Sequence, residues 1–403
     1  MVIRTQKIIA KVFIYCFAIL PVVSLFWQES FSFFKLNWTV YPLIFAAIAI
    51  SVFLRGRAPV TFYAFLGVAL FYTGYLTFVP ADWESAFRIF ITLLPLTFVS
   101  FINNNLDVHD FKIFWILYLL TICIPLILSY LQLAGHWPYY EFDYINDQTV
   151  GRISGGYNKP NNFVAFLFPV FMYGFYKWRI RRQRIIGLFI IASILIVVYI
   201  TGLRTAVVIF FLIFVGSFFA RMTSRLTYIY FKYGLHFIMG VVSLATVYII
   251  FLKYGYIDAI RGRVPMWMAH AETFVHSPWY QIVFGKGRIL LSYPYDQLKV
   301  ISVTGEVHNN SYRTLITFGV VGYLLYCLFI RSIVVSVFAQ EIDPRLKYIK
   351  MSCFVFLLLY AITNEPCYYS SIMWSATIWL FLNPNISPTK KEDVYTRRKG
   401  LGQ

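Results

Sequence analysis

Apolar stretches of roughly 17–23 residues recur along the whole chain, each long enough to cross a ~30 Å hydrocarbon core as a helix. They fall at 8–27, 37–54, 58–79, 84–102, 111–133, 159–178, 184–202, 203–220, 232–253, 312–335, 345–363 and 367–384. Such stretches have few structural options, because their backbone N–H and C=O groups must be satisfied without water. A membrane β-barrel would need ~10-residue segments of alternating polarity, which are absent. Of the 403 residues 60% are apolar and only 13% charged, against about 25% charged in a soluble domain. The expected fold is therefore an all-α polytopic membrane protein with about 12 transmembrane helices, a single integral membrane domain over 1–403.

The first run reads as a retained span: it is long for a signal peptide, and no Ala-x-Ala-like cleavage site follows it. The runs differ in detail, so no repeat of fixed period is present. Cys16, Cys123, Cys327, Cys353 and Cys367 lack CxxC spacing; the first four lie inside apolar runs and Cys367 begins one. They read as small core residues.

The formal net charge of +18 is a topology signal. With the N-terminus cytoplasmic, basic residues gather in alternate connections: Arg4, Lys7 and Lys11; Arg55 and Arg57; Lys177 to Arg184; Arg221, Arg225 and Lys232; Arg331 to Lys350; and the tail from Lys390 to Lys399. Only the short 103–110 turn breaks the pattern. Clusters scattered at helix ends are orientation signals, so no nucleic-acid partner is expected. An even number of spans puts both termini inside.

Two long non-basic loops, 134–158 and 254–311, then lie outside, and the second shows helical periodicity over Met266–Phe274 between Pro265 and Pro278. Long loops in a compact bundle are commonly functional, the alternative being a spacer or cap. Arg152, Arg204, Arg261, Arg263, Arg288 and Arg313 sit at or near this outer side. Arg204 lies in a tight turn between two apolar runs, where burial without an anion is costly. It reads either as the partner of an outer acid such as Glu365 or Glu306, or as an anion site, since a planar guanidinium suits phosphate or diphosphate. His308, where the second loop runs into an apolar helix, is a titratable group at the membrane surface.

Metal binding fails a spacing test, since His270 and His276 are six apart and share no helix face as an i, i+4 pair would. His136 and His276 read as interfacial; His109 and His236 fall on the inner side or in a span. Walker A, strand-linked GxGxxG and GxSxG motifs are missing, which leaves nucleotide binding and serine hydrolysis unsupported.

His308-Asn309, nine residues, Gly319, two residues and Gly322 resembles the histidine motif of the O-antigen ligase and polysaccharide polymerase superfamily. Arg263-Val264-Pro265-Met266-Trp267, continuing through Ala271, Phe274 and Ser277-Pro278 to Gly285-Lys286-Gly287, is similar to that family's Arg-x-x-x-Trp helix and its Gly-x-Gly end. Arg204 at the start of a span, and Gly151-Arg152 with Gly155-Gly156 and Pro160-Asn161-Asn162, look like two further family features. The resemblance covers roughly 150–330; the N-terminal spans match in hydropathy alone. Pro265, and Val208 where leucine is more common, depart from the family pattern.

The resemblance implies a GT-C-like, metal-independent, inverting glycosyltransferase on the periplasmic face of a bacterial inner membrane, with no cofactor. Its donor would be a glycan on undecaprenyl diphosphate. Arg204 and Arg263, with Arg152, would neutralise the diphosphate as the glycosidic bond breaks. His308 would take the acceptor's proton, with Asn309 and Arg313 as orienters. Trp267, Gly319 and Gly322 would be structural supports, the glycines letting helices approach closely. The acceptor would be a lipid-linked glycan in a polymerase, or lipid A core in a ligase, for O-antigen, capsule or exopolysaccharide assembly. The motif does not separate the two; the aromatic-rich sequence favours polymerase. Membrane lipids, and in the polymerase case a chain-length regulator, complete the partners.

A lipid-linked glycan flippase or secondary transporter is the rival from another class. Transporters, however, hold ionisable sites near the bilayer midplane, whereas these spans are nearly free of charge except Arg88. A scaffold without chemistry leaves the outer arginines unexplained.

Overall fold

The computed structural model describes residues 2–26, 60–78, 89–138, 140–143, 149–157, 160–254, 263–286, 309–341, 343–362, 370–382 and 384. Every expected span that falls on them is helical; 37–54 lies outside them. The helices are α1 (Val2–Ala18), α2 (Leu20–Phe26), α3 (Val60–Phe78), α4 (Ile89–Asn105, with a 3-10 middle at Leu94–Phe98), α5 (Val108–Leu133), α6 (Pro160–Phe175) and α7 (Arg184–Ile200). They continue with α8 (Arg204–Gly216), α9 (Ala220–Lys232), α10 (Leu235–Tyr254), α11 (Arg263–Val275), α12 (Trp279–Phe284), α13 (Asn310–Gln340), α14 (Pro344–Ala361) and α15 (Ser370–Phe381). Val108–Leu133, Arg204–Lys232, Leu235–Tyr254 and Asn310–Ala339 are long and apolar enough to cross a membrane. The protein is a helical membrane protein.

Local chemistry sets several boundaries. Asp107 and Asp110 form a reciprocal capping box at the start of α5. Asp343 caps α14 ahead of Pro344, whose fixed φ and missing N–H suit the first helical position. Asn309 caps α13 by accepting the Tyr312 N–H at 3.1 Å. Pro265 sits in the first turn of α11, where no intrahelical N–H is needed, so the helix starts at Arg263 despite it.

Helix α6 is buried on nearly every face and packs against α7 and α15, which makes it the centre of the bundle. Aromatic rings fill the space around it: Trp115 stacks on Tyr173 at 4.4 Å, and Phe168 on Phe356 at 4.3 Å. Trp115 Nε1 has no partner among the described residues, but the polar tips of other buried rings find backbone carbonyls. Trp379 Nε1 donates to Pro169 O (3.1 Å), Trp374 Nε1 to Thr92 O (3.0 Å), and the Tyr118 hydroxyl to Phe166 O (2.9 Å). Without water, an unpaired indole or phenol here would be costly.

Three features depart from the expected layout. Arg221, Arg225 and Lys232, read as an inner connection, lie on α9, which continues α8 through the 3-10 turn Ser217–Phe219. Its Ser224, Thr227 and Phe231 are buried while Arg221 and Arg225 face outward, so the segment is an amphipathic helix. The 134–158 loop contains an antiparallel hairpin, β1 (Tyr140–Asp143) with β2 (Thr149–Arg152), so the described chain is not purely helical. The buried Gln132 side chain anchors this loop, accepting the Ser154 and Gly155 N–H groups at 3.0 Å each.

The third departure is a break inside α13 at Gly319 (φ 67°, ψ −173°). A Cβ at Gly319 would collide with the Val283 carbonyl, and one at Gly285 with the Thr317 carbonyl, so two backbones meet here without side chains between them. The broken ladder is repaired from outside α13: Lys286 N–H donates to Ile316 O (3.0 Å) and the Tyr72 hydroxyl to Phe318 O (2.6 Å). Gly319→Ala adds both left-handed strain and a backbone clash, and is expected to cost about 2–4 kcal/mol. Gly234→Ala, at a similar φ of 67° but with open space around it, should cost only about 1–2 kcal/mol. Thermal unfolding of the two variants in detergent checks this, and equal losses would refute the close-approach argument.

Candidate functional site

The long loop 254–311 supplies two helices, α11 and α12, that fold back onto the first half of α13. Trp267 of α11 meets Tyr312 of α13 edge-on at 5.9 Å. The turn after α12 locks onto the Gly319 break, with the Tyr75 hydroxyl donating to Gly285 O at 3.0 Å. Gly322, one turn below, has no room for a Cβ against Tyr72 and Phe318.

A cavity of about 710 Å³ runs along α13 from Asn309 to Ile330, between α9, α10, α11, α13, α14 and α15. Trp267, Ser243 and Asn309 to Tyr312 line its polar end, and Met239, Phe354, Leu358 and Met373 are among its apolar walls. It is an amphiphilic pocket within the ~300–1,000 Å³ range of small-ligand sites.

Trp267, Asn309, Arg313, Gly319 and Gly322 thus gather around one half of α13. The Asn309 side-chain oxygen is committed to the helix cap, which leaves its amide N–H groups for a ligand. Arg313 is buried at 5% exposure. Arg152 is half-buried at the end of β2, opposite Tyr140. Arg204 is exposed at the first position of α8, with no ion pair among the described residues; Glu306 and Glu365 lie outside them. The helix carrying Arg204 packs on α14 and α7. Arg263 opens α11, its side chain outside the described residues, and His308 itself lies outside them too.

The histidines separate by environment. His109, His136 and His276 are exposed, while His236 is buried in α10 with Nε2 3.1 Å from Cys327 O. His270, weighed from the sequence only as a metal ligand, is 2% exposed, and its Nε2 has no hydrogen-bond partner. Burial first, then the positive charges of Arg313 and Lys286, push its pKa down to about 3. Lys286 is half-buried, its Nζ donating to Thr273 O at 3.2 Å, and desolvation lowers its pKa as well. Sequence reasoning missed this basic cluster; the signal available was the Lys286 inside Gly285-Lys286-Gly287, together with His270 three residues before Thr273 on the same helix face. Among the described residues no three His, Cys, Asp or Glu side chains form a metal-binding group.

No family model, curated protein or solved structure matches the chain.

A histidine held neutral by the fold takes up a proton on unfolding anywhere between about 3 and its ordinary 6.5. The contribution of His270 to stability is therefore complete above that upper value and falls as the pH drops toward the lower one, by about 1.4 kcal/mol per pH unit mid-window. Thermal unfolding across the window is expected to show a steeper acid loss for the wild type than for His270→Gln. Parallel curves would count against a buried neutral imidazole.

Proposed function

We propose that the protein is a metal-independent, inverting glycosyltransferase of the O-antigen ligase and polysaccharide polymerase type, with a GT-C-like fold of about 12 spans. It transfers a glycan from undecaprenyl diphosphate on the periplasmic face of the inner membrane. The observation that carries this reading is the pocket beside α13, whose polar end is built by the residues that follow His308 and whose walls are apolar. A lipid-linked sugar diphosphate has the same division of polarity.

The orientation draws support from paired contacts. Lys11 meets Asp110 at 2.8 Å, the Arg345 guanidinium donates to Arg179 O at 2.9 Å, and Arg331 Nε to Lys232 O at 2.8 Å. Each joins residues that the positive-inside pattern assigns to the cytoplasm, where both termini then lie. Lys11 also explains the non-basic 103–110 turn, whose Asp110 it neutralises.

In this mechanism His308 accepts the proton of the acceptor hydroxyl as its oxygen attacks the anomeric carbon. The bond from that carbon to the diphosphate breaks on the opposite face, which inverts the configuration. Arg204 and Arg263, with Arg152, take up the charge on the departing lipid diphosphate, and Asn309 and Arg313 orient the reactants. The acceptor is a lipid-linked repeat unit in a polymerase, favoured here, or lipid A core in a ligase.

The break at Gly319 favours a second reading, since transporters build sites on discontinuous helices. The carbonyls of Ile316 and Phe318, however, are taken by Lys286 and Tyr72, so these two do not face a transport path.

His308→Ala is expected to abolish transfer, by about 10²-fold or more, while the protein still inserts; normal long-chain polysaccharide would refute the assignment. Arg204→Lys should be markedly impaired, because an ammonium loses bidentate contact with a diphosphate; wild-type activity would remove Arg204 from the site. Deleting the gene separates the acceptors. A single repeat on lipid A core means polymerase, core without repeats means ligase, and unaltered surface glycan sinks both.

A further inference from the structure

Among the described residues, Lys11 and Lys350 are each paired with an acid, whereas Lys286 is not. Lys350 is held by Glu341 at 3.2 Å and Lys11 by Asp110 at 2.8 Å. Lys286 has no carboxylate partner among the described residues; its ammonium meets only the neutral Thr273 carbonyl. Its position is fixed from two sides. The ammonium is tied to α11 one turn from His270, and its backbone N–H to Ile316 O, one turn from Arg313 on α13. Lys286, His270 and Arg313 therefore converge from three separate segments.

Burying like charges together is unfavourable unless an anion joins them. Burial first, and then the charges of Arg313 and Lys286, hold His270 neutral, while desolvation shifts Lys286 toward neutrality. A neutral imidazole protonated at Nε2 still donates a hydrogen bond, and that atom is the one without a partner.

We propose that Lys286 and His270, beside Arg313, form an oxyanion-binding site on the outer side of α13, taking a carboxylate or phosphoryl group of the substrate. This rests on the reading of the pocket as a glycan-transfer site and adds two positioning residues that reading did not contain. The anion has two sources, the diphosphate of the lipid donor or an acidic substituent on the glycan. Lys286 supplies charge and His270 a directed donor. The blander role for Lys286 is to cap the carbonyl end of α11.

The test uses the purified full-length protein in detergent, with inorganic pyrophosphate and glucuronate as separate probes in isothermal titration calorimetry. No transfer reaction is needed, so the outcome is independent of whether the protein is a transferase. Saturable wild-type binding is expected, weakened about tenfold or more in Lys286→Met and largely kept in Lys286→Arg, the range for one charge-assisted hydrogen bond. His270→Gln, which retains a donor, should bind better than His270→Phe. Preference for pyrophosphate assigns the site to the lipid diphosphate; preference for glucuronate assigns it to an acidic sugar. Absence of saturable binding of either probe overturns the proposal. So does a Lys286→Met protein that melts earlier yet binds like the wild type, which would leave Lys286 as a helix cap only. Loss of transfer in His308→Ala with anion binding intact would separate this site from the chemistry.

Discussion

The contact between Gly285 and Gly319, backbone against backbone, fixes how α11 and α12 dock on α13. Two chains approach that closely only where neither has a Cβ, and Gly319 also takes a left-handed φ. The break it makes in α13 would leave carbonyls unsatisfied inside an apolar bundle. Lys286 and Tyr72 supply the missing donors, so the helix break and the docking of α11 and α12 depend on each other. Through that docking Trp267 reaches Tyr312, and His270 and Lys286 reach Arg313.

The same scarcity of water organises the interior. Trp374, Trp379, Tyr118, Tyr157 and Tyr72 each bury a large ring and hand the single polar atom to a backbone carbonyl. This lets an aromatic-rich sequence fill the centre of a bundle with few unpaired ring donors, Trp115 Nε1 being one. Charges follow a matching rule near Lys11 and Lys350, each of which has an acid. Lys286 breaks that rule, and a half-buried cation with no carboxylate partner among the described residues is a reason to look for a ligand.

Much of the helical layout is legible in the sequence because hydrocarbon thickness fixes the length of an apolar run. The first residues of α5, α13 and α14 follow from Asp107, Asn309 and Asp343, N-cap side chains that accept the free N–H groups of their helices. The β1–β2 hairpin is not legible, since short strands in a polar loop carry little periodicity. Nor is the continuation of α8 into α9, where arginines that look like a connection occupy the exposed face of an amphipathic helix. Within the candidate site, Trp267, Asn309, Arg313 and Gly319 could be named only through the family resemblance. His270 and Lys286 could not, because each is ordinary on its own element.

By itself the sequence determined the solvent this protein folds in and the helical form of its backbone. These are properties of contiguous segments, set by hydrophobic length and by caps a few residues away. The tertiary structure decided which polar groups share an environment. Burial, charge proximity and close backbone approach join residues 270, 286, 313 and 319 across different elements, and no local pattern encodes a distance between segments that meet only when the chain is packed.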